Sequence, residues 1–458
     1  MPNLRDLPSW EGADRICVDL ETQDPDIKTL GPGDLRNGRV AGIAFTIEGT
    51  EHSYYLPIGH GSGPNMDPDK VWAYMKAQSQ VFRGDIVAAN AQYDLGYMSA
   101  NGVEFNPRYV RDPQIAAPLL DELQNSYSLQ AIADREGIAG KSEEYLKEAA
   151  KNWGIKNVKA DLWKLPAKHV AEYAIQDTIV PLDLLRIMEP KIADQGLQGV
   201  YDLESDVLPV LLKMRKRGVR IDEIALEGVE AYAHREEVIA IQKIYDLTNV
   251  AIRHVWRSDE LARALRFIGA EVERTPKTGK PKVTKELLER INHPVAQLIL
   301  RARKMNKIRS TFVQSIRDHM VNGRIHCGYN QLRRQREAGQ GLAGAAYGRL
   351  SSNNPNLQQQ PARDPEMGSM WRDIFIPEEG KIWACLDFSS QEPRMVSHYA
   401  YLDKAQGGEE IMRAYNKDPR LDFHQKMADM AGIDRKHAKT IFLGLCYGMG
   451  GGKMCAAL

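Results

Sequence analysis

The hydrophobic pattern of this chain changes its period partway along, and that change limits the folds open to it. Up to about residue 190, short β-like runs alternate with helical ones. ICVDLET and RVAGIAFTI read as strands, and VWAYMKAQSQVF reads as an amphipathic helix leading into the apolar run DIVAAN. The stretch KHVAEYAIQDTIVPLDLLRIM closes this α/β region as a helix. From YDLESDVLPVLLKMRKRG onward the pattern turns helical, through EEVIAIQKIYDLTNVAIRHVW and HPVAQLILRARKMNKIRSTFVQSI. The polar RTPKTGKPKVT interrupts it, so a long helical arm with a basic loop is expected. Beyond about residue 320 the Gly-rich EAGQGLAGAAYGRLSS leads to a strand at KIWACLDFSS and then to two helices. No internal repeat and no long low-complexity tract interrupts this order.

At 458 residues the chain has room for roughly three domains, and 43% hydrophobic content allows each a proper core. No apolar run approaches the roughly 18 residues that span a membrane, and MPNLRDLPSW lacks the basic-then-apolar design of a signal peptide. A cytoplasmic protein with no membrane partner is expected. Cys17, Cys327, Cys385, Cys446 and Cys455 are odd in number and form no CxxC pair, which points to reduced thiols.

The formal net charge of zero conceals a polarised chain. From Arg301 to Arg336 ten Lys or Arg face a single acid, Asp318, with Phe312 and Tyr329 among them. One-signed density of this kind suits a phosphate backbone, because each contact releases counterions. Arg333, Arg334 and Arg336 are its densest part and the candidate DNA-binding residues.

In ICVDLETQ, Asp19 and Glu21 lie two apart on a strand, so both carboxylates leave the same sheet face while Val18 and Leu20 point into the core. Downstream, AANAQYDLGYM sets Asp94 just after an apolar strand, and YAIQD sets Tyr173 and Asp177 one helical turn apart. Converging carboxylates repel one another unless cations neutralise them, and hard oxygen ligands select Mg²⁺ or Mn²⁺. Two such ions about 4 Å apart serve in-line attack of water on a phosphodiester. A phenol such as Tyr173 can orient that water.

Near the other end, RKHAKTIFLGLCYG spaces Arg435, Lys439, Leu443 and Tyr447 four residues apart. Each four-residue step on a helix drifts only about 40°, so two cations, an aliphatic and an aromatic share one face. That face suits phosphates at one end and a flat ring at the other.

Asp19 and Glu21, then Asn90, Tyr93 and Asp94, then Tyr173 and Asp177 resemble the three motifs of proofreading 3′→5′ exonucleases with an RNase H-like fold. YGRLSSNNPNLQQQPAR, ACLDFSSQEPRMVSHYA, the closing RKHAKTIFLGLCYG and LESDVLPVLLKMRKRGVRID together look like a family A DNA polymerase of the DNA polymerase I type, and more like its phage members. The resemblance runs from about residue 12 to the last residue and implies an α/β fold in three parts. These are an RNase H-like exonuclease domain over 1–195, a helical thumb over 196–320, and a partial right-hand palm and fingers over 321–458.

The resemblance further implies roles position by position. Asp387 matches the palm aspartate that binds the catalytic metals, giving two Mg²⁺ or Mn²⁺ ions per active site. Glu392 matches the glutamate that excludes ribonucleotides, and Arg349 the arginine that reaches the primer end through the minor groove. His424, Arg435 and Lys439 match phosphate-contacting groups of the fingers, and Tyr447 the aromatic beside the templating base. The implied partners are primer-template DNA, single-stranded 3′ ends and dNTPs.

Several positions depart from the family pattern. Ser390 replaces a glutamine, Pro393 a leucine, and Leu443 stands where many members carry Phe or Tyr. No His-Asp-Glu segment, the source of the second palm carboxylate, follows Asp387. The expectation is therefore an N-terminal polymerase piece that proofreads but does not polymerise alone, either truncated or completed by a separate polypeptide carrying the rest of the palm. The competing expectations are a stand-alone exonuclease whose polymerase region only holds DNA, and a catalytically dead primer-template clamp.

Overall fold

The computed structural model describes residues 3–138, 143–332, 334–335, 342–343 and 348–457. Contacts divide the chain into two units, Met1–Glu378 and Glu379–Leu458. No helix among the described residues is long and apolar enough to cross a membrane. All five cysteines are free.

A five-stranded sheet organises the first part of the larger unit. Its strands are β1 (Arg15–Gln23), β2 (Arg39–Ile47), β3 (Ser53–Pro57), β4 (Asp85–Val87) and β5 (Val110–Arg111), in spatial order β3-β2-β1-β4-β5. The first three pair antiparallel, while β4 and β5 join parallel to the growing edge. Parallel pairing needs crossovers, and the helices Pro68–Val81 and Ala91–Ala100 lie in those connections. Both sheet faces are covered, so β2 reads as a nearly unbroken apolar run. Ile43 and Phe45 enter one core with Trp10, Ile16 and Val18, whereas the alternating Ala44 enters another with Tyr55, Leu146, Leu162 and Val170.

The helix Ala171–Asp194 crosses the sheet and packs on β1, β2 and β3. Its Thr178 hydroxyl lies 2.5 Å from that of Thr46 on β2, a buried link that fixes the helix rotation over the sheet. The following helix, Gln198–Arg217, is held by Arg215, which grips both carboxylate oxygens of Asp34 at 2.5 and 2.7 Å and donates to the Pro32 carbonyl. Gly96 passes beneath this pair, where a Cβ would stand 3.1 Å from Asp34 Oδ2.

The helical region departs from the expected pattern in one place. Glu223–Thr248 is a single helix, but Asn249 adopts a left-handed conformation (φ 53°), a residue type suited to that geometry, and stops it. The stretch VAIRHVW is therefore not helical. Pro294–Lys307 continues through a π-helical turn, Ile308–Val313, into Gln314–His319. The basic loop forms a turn closed by an isolated bridge between Arg274 and Pro281. A second sheet joins distant segments, with Val219–Ile221 between Phe375–Ile376 and Arg324–Ile325.

In the smaller unit, the strand expected at KIWACLDFSS is not formed. Residues 381–388 form no regular element and have no strand partner among the described residues, and Ile382, Leu386 and Phe388 are exposed. Among the described residues five helices follow instead of two: Gln391–Leu402, Gly408–Lys417, Phe423–Ala431, Arg435–Cys446 and Gly451–Ala457. Left-handed glycines at Gly407 and Gly432 punctuate them. Ser390 is left-handed at the start of the first, which places Pro393 in a first turn that needs no N–H.

The Asp34–Arg215 pair is 3% and 8% exposed, so removing one partner strands a buried charge. Asp34→Ala is expected to cost about 3–5 kcal/mol. A thermal melt checks it, and the double variant Asp34→Ala/Arg215→Met should recover most of the loss.

Candidate active sites

β1 carries its two acids on the face shared with Gly42 and Ala44, the residues directly opposite Glu21 and Asp19 on β2. The strand slips register between Glu21 and Thr22, a bulge at the point where the acids end. Tyr55 on β3 lies across this face, and its ring occupies the space a side chain at residue 42 would need. A Cβ there would sit 2.1 Å from the Tyr55 hydroxyl. That hydroxyl donates to His60 Nε2 (2.6 Å), because His60 Nδ1 faces the Leu165 carbonyl at 2.7 Å and carries the proton. A buried hydrogen-bond chain thus ties β3 to the segment just before the crossing helix.

That helix brings Asp177 over β1, and carboxylate oxygens of Asp19, Glu21 and Asp177 lie within 4.8 Å of one another. Asp94, 3% exposed, stands beside them in the first turn of its helix, and its Oδ1 accepts the Leu20 N–H at 3.0 Å. Burial, then the charge of Asp19, pushes the Asp94 carboxyl well above the usual range. Burial followed by Glu21 and Asp19 does the same to the phenols of Tyr55 and Tyr173, which stay neutral. Acids that oppose the ionisation of these neighbours form a strongly negative pocket. Three hard oxygen donors at this separation fit a divalent cation of the Mg²⁺ or Mn²⁺ kind. Tyr173 precedes Asp177 by one helical turn and lines the same cleft as Glu21.

In the smaller unit, Arg435–Cys446 presents Arg435 and Lys439 exposed and Leu443 half-buried. Tyr447 is the C-terminal cap of that helix rather than part of its body, and it is 65% exposed. Asp434 caps the start, accepting from the backbone N–H groups of Lys436 and His437. Arg435 Nε donates to Asp422 Oδ2 at 2.7 Å. His424 is buried on Phe423–Ala431 against Phe442, and burial, then Lys439 and Arg435, lowers its pKa. Those three groups therefore share one neighbourhood. Glu392 lies in the first turn of Gln391–Leu402, and Asp387 lies on the exposed irregular segment 381–388 instead of on a strand.

The basic stretch 301–336 requires correction. Arg301 pairs with Glu236 and Glu366, Lys304 with Asp364 and Glu366, Arg309 with Glu237, Arg317 with Glu230 and Arg324 with Glu378. Acids from other parts of the chain meet these cations, so the one-signed density in sequence is not one-signed in space. Arg349 is exposed in the larger unit. Arg333 and Arg336 lie outside the described residues, and Arg334 belongs to a short strand, Arg334–Gln335. The residues that sequence reasoning missed are Tyr55 and His60, whose only local signal was a polar pair inside an apolar strand end.

The chain belongs to the family A DNA polymerases: DNA polymerase family A matches residues 231–458. It is 52% identical over 470 residues to the DNA-directed DNA polymerase of Pseudomonas phage M6, covering 100% of this chain and 70% of that protein. The DNA polymerase DpoZ of Salmonella phage PMBT28 is 28% identical, covering 99% of this chain and 72% of its own length. DNA polymerase I of Pseudomonas aeruginosa is 27% identical over 97% of this chain and 47% of its own. Among solved structures, the POL domain of Pol1 from M. smegmatis, in complex with DNA primer-template and dNTP, matches with a TM-score of 0.67 at 21% identity, covering 96% of this chain and 69% of that one.

Tyr55 is held by His60 and cannot swing aside, so Gly42→Ala should overpack the β2–β3 face and cost about 1–3 kcal/mol. Calorimetric titration should show weaker Mn²⁺ binding in the same variant, because strain at residue 42 shifts β2 against β1, where Glu21 is its direct partner.

Proposed function

We propose that the chain is a DNA-directed DNA polymerase of family A that also carries a 3′→5′ proofreading exonuclease. The observation that carries the polymerase assignment is end-to-end similarity, at 52% identity, to a phage DNA-directed DNA polymerase. This similarity does not favour a stand-alone exonuclease with a degenerate polymerase region. The exonuclease assignment rests on the carboxylate trio. The strand order, three antiparallel strands extended by two parallel ones, supports an RNase H-like domain over 1–195. The thumb then occupies 196–320, and palm and fingers 321–458. The ligands are primer-template DNA, single-stranded 3′ ends and dNTPs.

At the exonuclease site Asp19, Glu21, Asp94 and Asp177 would hold Mg²⁺ or Mn²⁺, which supply water activation and leaving-group stabilisation when bound. The protein's own contribution is placement. Leu20 N–H orients Asp94, Thr46 fixes the helix bearing Asp177, and neutral Tyr173 offers a hydroxyl toward the cleft. At the polymerase site Asp387 would hold metal, Glu392 would crowd the sugar 2′ position, Arg435, Lys439 and His424 would receive the triphosphate, Leu443 would face the incoming sugar, and Tyr447 would stand beside the templating base. Helix geometry supports the triphosphate role: Arg435 and Lys439 extend from the positive end of a helix, where dipole and side chains attract the same anion. Arg349, Arg333, Arg334 and Arg336 are assigned to the DNA backbone.

Asp19→Ala/Glu21→Ala should cut release of nucleoside monophosphates from a 3′-labelled single strand by several orders of magnitude. Near-native degradation would reject the site. Lys439→Ala should weaken binding of a fluorescent dNTP analogue roughly tenfold, the scale of one lost charge-assisted contact, and leave exonuclease rates intact.

A further inference from the structure

Beside the carboxylate trio lies a cleft of about 530 Å³ whose lining carries both acids and lysines. Glu21 and Tyr173 line it. So do Lys147, Lys156 and Lys159, drawn from the helix Glu144–Asn152, the loop after it and the short helix Val158–Asp161. One carboxylate stands among these ammonium groups. Glu143 meets Lys147 Nζ at 2.9 Å and Lys159 Nζ at 3.3 Å, which leaves the wall positive. The head groups are well solvated, with Lys147 62% and Lys159 76% exposed, so their pairs with Glu143 contribute little to stability. Lysines that do not hold the fold together, gathered along one wall of a cleft that begins at a metal-type carboxylate cluster, match a ligand with a matching polarity. Its reacting phosphodiester goes to the acids with their cations, and its further phosphates go to the lysines.

We infer that Lys147, Lys156 and Lys159 form a backbone-phosphate subsite that grips the single strand upstream of the scissile phosphodiester, so that the exonuclease favours polynucleotide chains over short substrates. This rests on the exonuclease reading of Asp19, Glu21 and Asp177. The lysines are positioning residues: they touch the strand away from the reacting atoms. Glu143 competes with DNA for two of them and sets how tightly the strand is held. Sequence preference is not expected, since ammonium groups contact phosphate and not base edges.

The test compares two substrates. Thymidine 5′-p-nitrophenyl phosphate has a phosphodiester to hydrolyse and no upstream phosphates, while a single-stranded oligonucleotide has both. In the triple variant Lys147→Gln/Lys156→Gln/Lys159→Gln, the ratio of oligonucleotide to small-substrate kcat/KM should fall at least roughly tenfold, carried by KM. The slope of log KM against log salt should flatten by up to about 2, at about 0.7 per phosphate contact on a single strand. The matching arginine variant should restore the ratio, and Glu143→Gln should lower the oligonucleotide KM. Anisotropy of a fluorescent oligonucleotide in EDTA supplies a readout independent of hydrolysis, with the same ordering of affinities expected. An unchanged ratio and salt slope, or equal loss on both substrates, would overturn the subsite. If the unsubstituted protein hydrolyses neither substrate, the exonuclease reading fails on its own. Anisotropy then decides the subsite, and equal affinity of wild type and triple variant rejects it.

Discussion

Two carboxylates on the central strand of a sheet set the terms for the residues around them. β1 is covered on both faces, yet Asp19 and Glu21 leave it on the same side, where Asp177 arrives from the crossing helix and Asp94 is sealed beneath. Repulsion among such groups opposes folding unless a cation or a proton intervenes. The fold responds by over-determining their positions. A hydroxyl pair between Thr46 and Thr178 sets the helix, a backbone N–H fixes Asp94, and a tyrosine held by a histidine walls the open side. Glycine opposite Glu21 leaves that tyrosine its place. A site built this way holds its shape before the metal arrives, so binding need not also order the ligands.

Charge in sequence and charge in space diverge along this chain in both directions. The stretch 301–336 is rich in cations as written, but its arginines and lysines reach acids on the Glu223–Thr248 helix and near residue 366. These pairs lock the Pro294–Lys307 helix between the long Glu223–Thr248 helix and the segment that carries Asp364 and Glu366. The cleft lysines show the opposite case. Lys147, Lys156 and Lys159 are spread over thirteen positions that hold a fourth lysine, Lys151, and one acid, Glu148, and the spacing gives no sign that these three meet, yet the fold gathers them in one cleft.

The features legible in the sequence were those that depend on short-range geometry. Short β-like apolar runs located β1 and β2, the 3.6-residue period located Pro68–Val81 and Ala171–Asp194, and i to i+4 spacing placed Tyr173 and Asp177 together. The meeting of Asp19, Glu21 and Asp177 was expected from motif order and appears as geometry. The features that were not legible depend on partners. KIWACLDFSS has the composition of a strand, but a strand exists only where another strand hydrogen-bonds to it, and residues 381–388 have none among the described residues. The Glu223–Thr248 helix ends because one asparagine turns left-handed, a choice that the apolar pattern running on through VAIRHVW hides. His60 and Tyr55 show in the sequence only as a polar pair at a strand end, because the partner that fixes their role, the Leu165 carbonyl, is 105 residues away from the histidine.

The helix Arg435–Cys446 shows how a local conflict can identify a ligand's place. Cations in a first turn oppose the helix dipole, which favours acids there. This helix opens with Arg435, Lys436 and His437 and adds Lys439 one turn on. Part of the conflict is relieved within the protein, since Asp434 caps the turn and Asp422 meets Arg435. Lys439 remains exposed beside a histidine whose proton its charge disfavours. A polyanion arriving beside Arg435 and Lys439 would satisfy the dipole and the cations together, and it would make protonation of His424 favourable. The sequence keeps an arrangement that weakens the isolated helix, and a bound anion would offset that cost.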